Sequence, residues 1–349
     1  MDDEMVTTPN SDVAYSKQYY PWLDWAKVVG IFLVIYDHGG QSGDLLPYIK
    51  SFLMPMFFIV SGILYRPLSL KETLQKDLHT LVIPYLLLNL ICWLPSVVLY
   101  LLRGTFSFSF AWSCIGGTLL GLGYNTAGFT PISTPCWFIY TLFLARLVLS
   151  LLPEKNLRNM TIVSVASIAG TLLLHHFEID LLVPLDSALI ALPFMCLGYL
   201  SRTIIIRLIE KNDITIISSI LLLVAVWYIA TINNGSVDLN TCNTGYNIAL
   251  YYVAAICGSL VFFKLNFAAS KLLKPFTGGV KNLSKCTLII VALNLSVISL
   301  CHKYLLWPLH IDTAGGIGGF FAAVVEFIIF IPICLALKRW FPVLIGKRN

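Results

Sequence analysis

Charge is scarce in this chain. Only 12% of its 349 residues are Asp, Glu, Lys or Arg, against about 25% in a typical soluble domain. That scarcity excludes a disordered chain, a nucleic-acid-binding module and an ordinary cytosolic enzyme. The nine cysteines include no CxxC pair, and most sit inside apolar runs. That argues against a metal site or a disulfide framework, so they read as small hydrophobes. A basic leader is missing too. The first twenty residues, MDDEMVTTPNSDVAYSKQYY, are polar and acidic, so no cleavable signal peptide is expected and the first apolar segment must both target and anchor. No internal repeat and no second soluble domain are visible.

What fills the chain is hydrocarbon. Hydrophobic residues make up 58%, and the mean hydropathy is +0.82. A membrane-crossing helix needs about 20 mainly apolar residues. Ten stretches qualify: 22–40, 46–65, 80–102, 136–153, 160–176, 186–201, 214–232, 246–264, 286–305 and 314–337. The predicted fold is all-α integral membrane, with about ten transmembrane helices and both termini cytoplasmic. A single transmembrane domain over 22–340 is expected between cytoplasmic tails at 1–21 and 341–349. The stretch 106–123 is apolar but rich in Ser and Gly, and is expected to be a loop with a short interfacial or re-entrant helix.

Charge placement supports that topology. With ten spans and an internal N-terminus, the outer loops hold only Lys50, Arg103 and Lys303, while Lys27 and Arg146 lie within spans. The rest of the 23 basic residues face the cytoplasm, a strong positive-inside asymmetry. An eleventh span at 106–123 would destroy it.

Ionisable groups inside spans are expensive and usually functional. Lys27 and His38 are separated by ten residues in the first span. That places them roughly 16 Å apart along a helix and, after nearly three full turns, on one face. One face then presents a cation near the cytoplasm and an acid/base group near the outside. A snorkelling lysine and an interfacial histidine remain the plainer reading. Lys76 and His79 share a helical face and could hold phosphates, whereas Lys71 reads as positive-inside charge. Arg146 reads equally as a buried ion-pair partner or a snorkelling arginine. Glu326, in the middle of the last span, should be protonated or paired, with Lys27 and Arg146 as possible partners. His175, His176, His302 and His310 read as interfacial.

Several segments, in order, resemble the acyltransferase 3 family of integral-membrane acyltransferases. LDWAKVVGIFLVIYDH, with Lys27 and His38, is similar to the family opening, in which a basic residue precedes a histidine after ten residues. FLMPMFFIVSGILY, LVIPYLL, PCWFIYTLFLARLV, ALPFMCLGYLSR and LSKCTLIIVALNL resemble the family's later spans. The resemblance implies transfer of an acyl group, usually acetyl from acetyl-CoA, to a sugar hydroxyl (occasionally an amine) of an extracytoplasmic glycan. Carried over by position, His38 is the expected catalytic histidine and Lys27 its basic partner. Three positions depart from the family pattern. His79 stands where Arg is common, Asn294 where many relatives carry a second His, and Asp37 where Gly is usual.

The expected activity is an O-acetyltransferase of a surface or cell-envelope polysaccharide, in the inner or plasma membrane. Its partners would be an acyl-CoA donor, a glycan or lipid-linked sugar acceptor and membrane lipid, with no nucleic acid. No permanently bound cofactor and no metal are expected, acetyl-CoA being a substrate. Donor phosphates would sit near Lys76 and His79. His38 would act as general base or form a transient acyl-imidazole. Asp37, Arg146, Asn294 and Glu326 are possible supporting residues. Asp37 cannot face His38 on a regular helix and is expected to cap the following glycine turn or contact the acceptor. Two other functions compete: a transporter or flippase of lipid-linked sugars, and a catalytically silent membrane scaffold of the same fold. The transporter lacks the repeats and matched broken helices that would support it.

Overall fold

The computed structural model describes residues 19–39, 45–179, 181, 183–311, 313 and 316–346. Among them the regular structure is helical, with no strand. Helix α1 (Pro21–His38) opens on a proline, where no backbone N–H is required. Helix α2 (Leu46–Ile63) runs back beside it.

The next segment departs from the expected basic turn followed by a span at 80–102. Ser69 builds a capping box with Glu72 and starts α3 (Leu70–Asp77) inside the basic stretch. A π-helical turn over Leu78–Val82 then joins α3 to α4 (Ile83–Leu102). Pro84 offers no N–H and crowds the turn before it, a local cause for that widening. The 106–123 stretch holds α5 (Phe108–Leu119), shorter than a span. It is tied down by the Tyr85 hydroxyl donating to the Thr118 carbonyl at 2.5 Å and by Ser113 Oγ donating to the Gly128 carbonyl at 2.7 Å.

Helix α6 (Trp137–Leu151) follows a 3-10 turn over Thr134–Cys136. Asn156, Asp213 and Asn247 cap α7 (Leu157–His176), α10 (Ile214–Asn234) and α11 (Ile248–Leu272) through their side-chain oxygens. Between them, α8 (Leu185–Leu200) bends by 70° at Ser201 into α9 (Arg202–Glu210). The last helices are α12 (Thr277–Leu283), α13 (Thr287–Cys301), extended by a π turn over His302–Leu306, and α14 (Gly316–Trp340).

Eight helical segments among the described residues are long and apolar enough to cross a membrane, or nine if α8 and α9 count as one bent span. Helix α1 does not join them by composition, because Asp24, Lys27, Asp37 and His38 fall within it. It nevertheless lies at the centre. Fully buried Trp22, Phe58, Phe194, Tyr251 and Phe263 come from α1, α2, α8 and α11. Helices α7 and α10 are peripheral, and their exposed faces are Leu, Ile and Val, as a lipid-facing surface requires. Gly62 of α2 and Gly198 of α8 meet face to face. A Cβ on either would stand 2.2 Å from a backbone carbonyl of the other helix, so only glycine allows this crossing.

Candidate functional site

His38 is the last residue of α1. Its Nδ1 lies 2.8 Å from the Val34 carbonyl one turn back. A carbonyl only accepts, so Nδ1 carries a proton and donates it there, and Nε2 is the ring nitrogen left to act as a base. The ring is half-buried and lies between two cavities.

The first cavity, about 190 Å³, opens at the His38 end of the bundle. Its polar wall is Asp37, Lys50, Asp238 and Asn240. The second, about 50 Å³, runs down between α1, α2, α6 and α13 past Ile31, Val34, Phe57, Phe138 and Val291. His38, Met54 and Trp137 line both. The arrangement is a polar-walled vestibule joined to a narrow apolar shaft, with an imidazole at the junction. It can bring a polar nucleophile from one side against an apolar-tethered electrophile from the other.

Asp37 is not directed at His38. It pairs with Lys50, Oδ1 to Nζ at 3.3 Å, on the vestibule wall. The glycine turn it was expected to cap includes Gly40, which lies outside the described residues.

Lys27 is held by Asp24 at 2.8 Å, one turn earlier on α1. Asp24 also accepts from the Tyr19 hydroxyl at 2.9 Å and from Ser284 Oγ at 2.7 Å. Burial, then the Asp24 carboxylate, pushes the Tyr19 hydroxyl up to about 12. Lys27 lines neither cavity bordered by His38, so the structure does not join the two groups through one chamber. Sequence reading passed over Asp24, although its i,i+3 spacing to Lys27 was visible.

Lys76 is exposed on α3, and His79, in the π turn, gives its Nδ1 to the Gln75 carbonyl at 2.9 Å. Of the two residues between them, Asp77 is fully inaccessible and meets Arg146 of α6 at 2.9 Å. This settles Arg146 as an ion-pair partner. Nearby, burial pushes the Tyr65 hydroxyl up to about 12, with Arg146 pulling it down and Asp77 raising it.

Glu326 is paired, as its place in the last span required, but its partner corrects the sequence reading: it is neither Lys27 nor Arg146, both engaged elsewhere, but His302 Nε2, 3.0 Å from Oε1. His302 is buried, whereas His175, His176 and His310 are exposed. The π turn at the end of α13 carries the imidazole inward. Asn294 is fully buried, one turn beyond Val291 on α13, and neither of its amide atoms has a partner among the described residues.

No cluster of three or more His, Cys, Asp or Glu among the described residues is placed to hold a metal ion. Sequence reading missed Lys50, Trp137 and the 237–240 segment as neighbours of His38, because they converge from α2, α6 and a loop far along the chain.

A family model described as an acyltransferase domain matches residues 20–339, nearly the whole chain. No curated protein and no solved structure matches it. With eight or nine helical segments among the described residues long and apolar enough to cross a membrane, and a family match over nearly its whole length, the chain is a multi-pass membrane acyltransferase and belongs to the acyltransferase 3 family.

Proposed function

We propose that the protein moves an acetyl group from acetyl-CoA to a sugar hydroxyl of a surface or cell-envelope polysaccharide, with His38 as general base. The observation that carries this reading is the place of His38 between the vestibule and the shaft, with Nδ1 turned to the Val34 carbonyl and Nε2 left for the substrate. The acceptor hydroxyl enters the vestibule and gives its proton to Nε2. Its oxygen attacks the thioester carbonyl carbon, the C–S bond breaks, and the departing thiolate takes the proton from the imidazolium. The pantetheine arm is slender and suits the apolar shaft.

The donor's phosphates would stay at the other end of the bundle, where Lys76 is exposed and His79 half-buried. A phosphate reaching Lys27 would compete with Asp24 for it. Asp37 and Lys50 would meet the acceptor, while Arg146, Asn294 and Glu326 would act through packing and pairing.

The topology that fits this division is ten spans, with α1 as the first and α8–α9 as one. Both tails, 1–21 and 341–349, would be cytoplasmic and His38 would open outward in the inner membrane. The decisive test is His38→Ala. Transfer of radiolabelled acetyl from acetyl-CoA to membrane glycan should vanish, while the protein stays inserted at wild-type abundance. Normal glycan acetylation in that variant, read by mass spectrometry, would overturn the proposal.

A further inference from the structure

The vestibule has a larger neighbour. A cavity of about 300 Å³ opens between the end of α7, the start of α8 and the loop after α10. Its walls carry Glu178, Asp186, His175, Thr241, Thr244 and Tyr246. The loop that forms one wall is the same loop that lines the vestibule. Asp238 and Asn240 face the His38 side, whereas Thr241, Thr244 and Tyr246 face the larger cavity.

That partition is firmly held. Asp238 and Asn243 exchange backbone hydrogen bonds at 2.8 and 2.9 Å. Ser187 Oγ of α8 donates to the Leu239 carbonyl at 3.1 Å, and Asn240 Nδ2 donates to the Gly123 carbonyl at 3.1 Å. Asn234 braces the base, donating from Nδ2 to the Thr244 carbonyl and accepting from Asn247 N–H, both at 2.8 Å.

Two non-glycine residues on the cavity wall hold left-handed backbone: Glu178 at φ 51° and Cys242 at φ 56°. Such conformations are costly and gather where a side chain or carbonyl must be aimed. Tyr246 is 88% exposed. Its ring rests where a Cβ on Gly235 would stand, so glycine there seats the aromatic against the backbone with its other side open. An open ring beside carboxylates and hydroxyls matches a sugar, with an apolar C–H face and a rim of donors.

We propose that this cavity is an acceptor subsite. It would hold a second part of the saccharide chain while one hydroxyl crosses the partition to His38. The inference rests on the acyl-transfer reading and adds the class of acceptor. The cavity wall carries Glu178 and Asp186 and no Lys or Arg, and the vestibule's single cation, Lys50, is already paired with Asp37. Carboxylates accept hydrogen bonds from hydroxyls and repel anions. The subsite therefore takes neutral or amino sugars and rejects uronates, sialates and phosphorylated glycans.

The test is a printed array of neutral, amino and acidic oligosaccharides, probed with the purified full chain in nanodiscs. Glu178 and Tyr246 are exposed, so their variants should fold. Wild type should retain neutral or amino oligosaccharides and ignore acidic ones. Glu178→Gln should weaken retention about tenfold, the loss expected for a charge-assisted hydrogen bond, and Tyr246→Ala several-fold. Retention indifferent to both substitutions, a preference for acidic sugars, or no retention of any glycan would overturn the subsite. The two proposals fail separately. Acetyl transfer that persists while retention ignores Glu178 and Tyr246 removes only the subsite. Retention that depends on them in a protein that transfers no acetyl removes only the acyl-transfer reading.

Discussion

A histidine whose Nδ1–H is committed to its own helix has one nitrogen left for chemistry, and His38 presents that nitrogen at the meeting point of two chambers. The sequence singled this residue out because an ionisable group near the end of an apolar run is expensive there. Its surroundings were not, since pairing across helices leaves no local spacing to read. Arg146 shows the difference. Its charge stood out, yet its partner, Asp77, is distant in sequence and was passed over. The pair makes a sharp prediction. Arg146→Ala leaves a fully buried carboxylate without its countercharge and should cost on the order of 3 kcal/mol. Replacing both residues, Arg146→Met with Asp77→Leu, should restore much of that loss. Thermal unfolding in detergent reads the difference, and a double variant as unstable as the single one would contradict the pairing.

Among the elements, positions of helices were legible and their breaks were not. The motifs around Ser61–Gly62 and Gly198–Tyr199 were visible as motifs, but their physical reason appears only when α2 and α8 cross at Gly62 and Gly198. Gly198→Leu should force the two helices apart, costing about 2 kcal/mol or more. Lower yield and a lower unfolding temperature are the expected readouts, and a wild-type melt would show that the contact can relax. The sequence ended this span at 201, where α8 bends, but did not show that RTIIIRLIE goes on as a second helix. Its amphipathic pattern suits a helix that leaves the bundle, and Lys264 of α11 secures its end by donating to the Ile209 and Lys211 carbonyls and to Asn212. The start of α3 within a basic stretch was readable from Ser69 and Glu72, but charge there drew attention to phosphate binding instead.

At the scale of the whole molecule, composition led to a membrane protein and the apolar runs of about 20 residues led to helices, which satisfy their own backbone in lipid. The distribution of Lys and Arg predicts which way the chain is threaded. Reporter fusions test it. An alkaline phosphatase fused after Gly104 or Gly128 should be active, and one fused after Arg66 or Lys155 inactive; the reverse pattern would invert the topology and move His38 to the cytoplasmic side. The roof over His38 was beyond sequence reading, since it is assembled from 123, 187 and 237–240 by single hydrogen bonds across long separations.

The apolar shaft beneath His38 has only about 50 Å³ of free space, where a single water already needs about 10–15 Å³ by a comparable measure. On the proposed acyl-transfer reading, a donor arm rising to the imidazole has to part Phe57 and Phe138 first, so trimming either ring to alanine should ease its entry.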